Sequence, residues 1–192
     1  MMKKTDARVR YTKKILKESL LKLLQEKPIN KVTVKEVCAL AELNRATFYA
    51  HYSDCFDLLE SIEDELVEAF EQALILVKSL DVSAMISALY NIVENNEAAC
   101  RVLIFQNTST PVLQRMISLA REKSIAFWKS ELAGASDEDL ELLYTHLSNG
   151  LMHVVVEGYV KYSKEAIAAF VNRIVKSSLS GFALCQGTKG AC

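Results

Sequence analysis

The chain predicts an all-α protein: an N-terminal three-helix helix-turn-helix domain joined by a long helix to a C-terminal helical bundle, about nine helices in all. Three observations predict it. Apolar residues recur at helical rather than alternating spacing from Val9 onward. Only two prolines and six glycines interrupt 192 residues, and no glycine precedes Gly134. Charge is divided along the chain: residues 1–55 hold twelve lysines and arginines against six acids, net +6, while the remaining 137 residues hold eleven against eighteen, net −7. The overall charge of −1 thus hides a basic head on an acidic body, and the head has the sign that attracts a polyphosphate. With 51% apolar residues, the chain can bury a small head and one larger core.

The first helix is placed at Val9 to Glu26, where Ile15, Leu16, Leu20, Leu23 and Leu24 share a stripe. It stops near Lys27-Pro28, because the proline ring disfavours a helical predecessor. The second occupies the run Thr33 to Ala41, with Val34, Val37, Cys38 and Ala41 on one face and Lys35, Glu36 and Glu42 outside. Asn44 stands where an N-cap should be, accepting from backbone N–H groups two or three residues on. In the third helix Phe48 can face the second, while Arg45, Thr47, Tyr49 and His51 project on other sides. Two short helices joined by a tight turn are the build of a helix-turn-helix DNA reader. Arg45 and Thr47 lie where a recognition helix touches base edges, and Tyr49 and His51 suit phosphate oxygens. A surface hairpin whose aromatics close a small core shares this spacing; the basic head favours DNA.

The run Ala41-Glu42-Leu43-Asn44-Arg45-Ala46-Thr47-Phe48-Tyr49-Ala50-His51-Tyr52 resembles the DNA-binding signature of the TetR family of bacterial transcriptional regulators. The likeness covers roughly the first sixty residues, from a leading helix to Leu58-Leu59. It implies a DNA-contacting set of Thr33, Lys35, Asn44, Arg45, Ala46, Thr47, Tyr49 and His51. The acidic remainder resembles the second domain of such regulators, of the type common in Firmicutes. Two positions depart from the family pattern. Glu42 stands where the family places Gly in the inter-helix turn, and Cys55 where it places a phosphate-binding lysine.

After Tyr52, Ser53 or Asp54 caps a long helix whose stripe of Phe56, Leu59, Ile62, Leu66, Phe70 and Leu74 runs to about Ser79. Its acidic middle, from Glu60 to Glu71, reads as a solvated face. Ser83 opens a helix to about Asn95, and Asn96 or Glu97 a shorter one to Gln106. Asn107 to Thr110 form a loop before a helix from Pro111 to Leu132. Gly134 ends that region, Ser136 with its first-turn acids caps a helix to about Tyr159, and Ser163 or Lys164 starts the last, ending near Gly181. The expected domains are 1–53 for DNA binding, 54–185 for sensing and dimerisation, and a frayed tail at 186–192.

The last two helices carry broad apolar faces. Leu147, Gly150, Leu151, Val154 and Gly158 on one, with Phe170 and Ile174 on the other, suit a two-fold four-helix interface with a second copy. Packing on their own body, with Gly150 and Gly158 marking a bend, is the alternative. The resemblance also implies a homodimer, which a palindromic operator requires.

Candidates for an effector pocket are the polar and aromatic residues on apolar helices: Tyr90, Arg101, Phe105, Gln106, Trp128, Tyr144, His146, Asn149 and His153. No carboxylate-histidine pair has metal-ligand spacing, so no metal and no cofactor are expected. Five scattered cysteines include no Cys-x-x-Cys pair and imply reduced thiols; Cys38 reads as core, and Cys55 and Cys192 as candidates for exposure. There is no Gly-rich phosphate loop, Gly-x-Ser-x-Gly elbow or His-Glu-x-x-His, so an enzyme is not expected. No eighteen-residue apolar run and no signal-peptide core occur, and a cytoplasmic protein is expected. The resulting expectation is a ligand-responsive repressor that binds double-stranded DNA as a dimer and takes an unidentified small-molecule effector. A helical adaptor without DNA binding and a small helical enzyme are the alternatives.

Overall fold

The computed structural model describes residues 4–76, 82–105, 110–132 and 134–186. Among them are nine α-helices and no strand: α1 Lys4–Leu24, α2 Val34–Leu40, α3 Arg45–Tyr49, α4 Cys55–Leu76, α5 Val82–Asn95, α6 Glu97–Cys100, α7 Pro111–Glu131, α8 Asp137–Gly158 and α9 Lys164–Gln186. The all-α class is the one predicted. Differences fall at element ends. α1 begins at Lys4, ahead of its first stripe residue, because nothing in the basic lead-in breaks a helix. It closes through Gln25 N–H to Lys22 C=O (3.3 Å) and Lys27 N–H to Leu23 C=O (3.1 Å), just before Pro28. The single helix expected from residue 96 or 97 to 106 is a short α6 continued by a π-helical turn at Arg101–Phe105. α9 runs on through Gly181 to Gln186, since one glycine in open space lowers helix propensity without ending the helix. The expected extension of α4 to Ser79, the loop from Asn107 to Ser109, Gln106 and the tail beyond Gln186 lie outside the described residues.

Two compact units divide the chain, and residues 96–106 belong with the first although they follow α5 in sequence. In the first unit α1 packs on α2 and on α6, and α2 on α3. Leu16, Leu20, Val37, Phe48 and Leu58 are fully buried there. Leu16, Leu20 and Val37 come from the stripes read in the sequence and Phe48 from the face turned to α2, whereas Leu58 lies off the expected α4 stripe, whose first member Phe56 is exposed. Lys17 pairs with Glu65 inside this unit.

In the second unit α5 packs on α9, α7 on α8, and α8 on α9. Two apolar clusters result, one around Ile86, Tyr90, Val155, Ile167 and Val171, the other around Trp128, Leu132, Leu140, Leu143, Tyr144 and Leu147. The α7–α8 seam is also held by polar contacts. Tyr144 donates its hydroxyl to the Ile117 carbonyl, Arg121 forks onto Glu141, and Lys129 Nζ lies 2.5 Å from Asp137 Oδ1. The two ion pairs are exposed and contribute little beyond register. α8 starts on a full capping box, Ser136 accepting from Asp139 N–H while the Asp139 carboxylate receives the Ser136 N–H. Among the described residues no helix is long and apolar enough to cross a membrane, and no cluster of three His, Cys, Asp or Glu could hold a metal ion.

Candidate nucleic-acid interface

The turn between α2 and α3 decides where the reader helix points. α2 opens on a capping box: Thr33 Oγ1 accepts from Glu36 N–H (3.3 Å), and Glu36 Oε2 receives the Thr33 N–H (3.0 Å). Lys27 Nζ lies 2.5 Å from Glu36 Oε1. That bond, with those from Thr33, holds the Glu36 carboxyl down at about 2. α2 ends in a Schellman turn. The Leu43 N–H bonds to the Cys38 carbonyl at 3.0 Å and the Glu42 N–H to the Ala39 carbonyl at 3.4 Å. This geometry requires a left-handed residue after the cap, and Glu42 supplies it with φ 53°, alone among the described non-glycine residues. The departure from glycine therefore sits at the point of backbone strain.

α3 follows at once. Asn44 is extended, and its Oδ1 accepts from the Thr47 N–H (2.7 Å) and the Thr47 hydroxyl (2.9 Å). Asn44 thus uses its oxygen as a cap and keeps its amide NH2 as a donor. Thr47 gives up its hydroxyl proton to the cap, so what it can offer a base is a lone pair and a methyl group. Phe48, fully buried, is the one core residue of α3 and pins it to the head, with Tyr49 packed edge-on at 5.6 Å between centroids. Arg45, Ala46 and Tyr49 are exposed, Tyr49 by 57%. His51 is half-buried beside Tyr52. Thr33 and Lys35 are exposed at the start of α2.

Behind this surface the start of α4 is closed and acidic. Asp54 Oδ1 accepts from the N–H groups of Phe56 and Asp57, at 2.8 and 2.9 Å, and Asp57 Oδ2 takes the Ser53 N–H at 2.7 Å. Cys55, a candidate for exposure, is buried, and burial pushes its thiol up, as it does that of Cys38. Cys55 faces the core, so no cation stands where the family places its lysine. Cys192 lies outside the described residues.

The second unit holds a partly open cavity of about 110 Å³ walled by residues of α4, α5, α7, α8 and α9. Of the pocket candidates, Trp128 and Tyr144 line it. Tyr90 is packed in the cluster with Ile86 and Val171, its ring 5.1 Å from that of Tyr159. His146, Asn149 and His153 are exposed along the opposite side of α8. Arg101 and Phe105 belong to the first unit, Arg101 paired with Glu97 at 2.5 Å. Ser124 and Ser148 also line the cavity and were absent from the sequence candidates. Tyr144, Ser148, Leu151 and Val155 recur at i, i+4, i+7 and i+11, and that spacing could have found Ser148.

The proposed interface strip divides. Leu147 and Gly158 are buried in their own unit, where a Cβ on Gly158 would meet Ile167 Cδ1 at 2.8 Å. Leu151, Val154 and Ile174 are half-buried against the same core, whereas Gly150 and Phe170 are exposed, and nothing lies within 4 Å of a Cβ built on Gly150.

No family model matches the chain. A stretch of 59 residues, 31% of this chain, is 34% identical to an uncharacterized HTH-type transcriptional regulator, YxbF, of Bacillus subtilis (strain 168), and spans only 16% of that protein's length. Solved structures match over nearly the whole chain at low identity. One is a protein from Pseudomonas aeruginosa PAO1 provisionally described as a transcriptional regulator (TM-score 0.65, 16% identity, 95% of each chain). Another is a TetR/AcrR family transcriptional regulator from Aquifex aeolicus VF5 (TM-score 0.59, 14% identity, 86% of this chain and 98% of that one). The chain thus shares the all-α fold of these solved transcriptional regulators.

Proposed function

We propose that the chain is a sequence-specific DNA-binding transcriptional regulator: a ligand-responsive repressor that binds a palindromic operator as a homodimer. The observation that carries this reading is the α2–α3 pair, in which the Schellman turn at Glu42 and the Asn44 cap aim a helix that buries only Phe48 and exposes Arg45 and Tyr49. Residues 1–53 are assigned to DNA binding and 54–185 to sensing and dimerisation. Thr33, Lys35, Asn44, Arg45, Ala46, Thr47, Tyr49 and His51 form the contact set, Arg45 and Thr47 toward base edges and the others toward the backbone.

The basic head supports this reading, since an adaptor for other proteins has no use for a net +6 beside an acidic body. The exposed stripe of α8 and α9, with Gly150, Phe170 and the small residues Ala166, Ala169, Ser177 and Gly181, supports a two-fold contact. An effector that binds the second unit better in one conformation shifts the spacing of the two heads through α4 and weakens operator binding.

Gel-shift binding to DNA upstream of the chain's own gene, at several salt concentrations, tests the reading. Affinity is expected to fall steeply with salt. Arg45→Ala relaxes base preference at a cost of about 1–3 kcal/mol, while Tyr49→Phe weakens binding uniformly across sequences. Salt-independent binding, or no effect of either substitution, contradicts the assignment.

A further inference from the structure

Resting on the reading of the second unit as a sensing domain, we infer that its cavity takes a small, uncharged, largely apolar molecule with one hydrogen-bond acceptor, a single-ring ketone or its like, received by the indole N–H of Trp128. Among the described residues, no Asp, Glu, Lys, Arg or His lines the cavity. A carboxylate or an ammonium group placed there would lose its hydration and find no counter-charge, which sets the class as neutral.

Among the described residues, the polar groups on the wall are four: Ser124, Trp128, Tyr144 and Ser148. Tyr144 is already committed, its hydroxyl donated to the Ile117 carbonyl. Burial pushes its pKa up to about 12, so it stays a neutral phenol. Trp128 is different. It is 5% exposed, and its Nε1 is buried with no hydrogen-bond partner. Ser148 Oγ, beside the Tyr144 hydroxyl, also makes no well-formed bond. A buried N–H left unpaired carries a desolvation penalty, and interiors hold few of them. An acceptor on the ligand removes that penalty, and a purely apolar ligand leaves it in place.

Size narrows the class further. An engineered apolar cavity of about 150 Å³ admits benzene, so the cavity of about 110 Å³ here, partly open to solvent, suits a single ring once its wall gives. Met85, Met116 and Met152 line the wall, and their unbranched side chains repack readily. Nε1 itself is sealed from water, so a ring brings its oxygen there only by displacing a neighbouring side chain, which these methionines permit.

Trp128 is the only tryptophan in the chain, so one indole N–H resonance reports on the site. The full chain is titrated with cyclohexanone, with toluene as an acceptor-free ring and with benzoate as a charged one. Cyclohexanone should bind saturably and shift the indole resonance downfield; toluene should bind without that shift, and benzoate should not bind. Trp128→Phe should weaken cyclohexanone about tenfold and leave toluene unchanged. Should that variant fail to fold, the wild-type resonance still decides. Benzoate binding as tightly as cyclohexanone, an unmoved indole resonance, or no binding of either neutral ring overturns the inference. Gel shifts run in parallel separate the two readings. DNA binding without any ring binding overturns the ligand class alone, whereas ring binding without DNA binding overturns the regulator and leaves the cavity assignment standing.

Discussion

Glu42 shows how one residue can mark both function and cost. Its φ of 53° is the left-handed region in which a Cβ crowds the backbone, at about 1 kcal/mol for an L residue. The Schellman bonds from Glu42 and Leu43 to Ala39 and Cys38 hold it there. Glu42→Gly should therefore raise stability by up to about 1 kcal/mol in urea unfolding without moving α3; a loss of stability would mean that the carboxylate makes a contact worth more than the strain. This position was legible in the sequence through the resemblance, which places a glycine in the turn where Glu42 stands. The roles of Thr47 and Cys55 were less so. Spacing cannot reveal that the Thr47 hydroxyl is committed to Asn44, nor that Cys55 turns inward while its neighbours Asp54 and Phe56 stay exposed.

At the scale of elements, periodicity was enough wherever a helix buries one stripe. α2, α5 and α8 lie within a residue or so of their expected bounds, α2 and α8 because Thr33 and Ser136 cap with their own side chains, whereas α3 stops at Tyr49 and leaves His51 in the turn beyond it. It was not enough where two faces of one helix are both apolar or small. α8 offered the sequence His146, Asn149 and His153 as one face and Tyr144, Ser148 and Leu151 as another, and only tertiary packing says which turns inward. The glycine strip divides for the same reason: a Cβ on Gly158 would force Ile167 Cδ1 to shift, while one on Gly150 meets nothing among the described residues. Gly150→Ala should then stabilise the chain slightly through helix propensity, by up to about 1 kcal/mol. On the proposed two-fold contact, Gly150→Leu should keep the thermal unfolding of the fold while giving a monomer in light scattering where the unsubstituted chain gives a dimer. A leucine variant that stays dimeric would remove Gly150 from the interface.

For the whole molecule, the division of charge and the identity of the fold point the same way. The head gathers cations: Arg8, Arg10, Lys13, Lys22, Lys31, Lys35 and Arg45 add to Lys14, Lys17 and Lys27, which are paired with Glu18, Glu65 and Glu36. On the proposed reading, the acidic remainder would be repelled by DNA, and a bound duplex would be presented to α2 and α3 rather than to the body. Two copies joined through α8 and α9 would set two α3 helices on one face of the duplex, about one helical turn apart. Selection of binding sites by the purified full-length protein from a random duplex library tests this claim most directly. The account predicts enrichment of a two-fold symmetric sequence with half-sites about one turn apart, lost in Arg45→Ala. Enrichment of a single unrepeated half-site, or of no sequence at all, would contradict it.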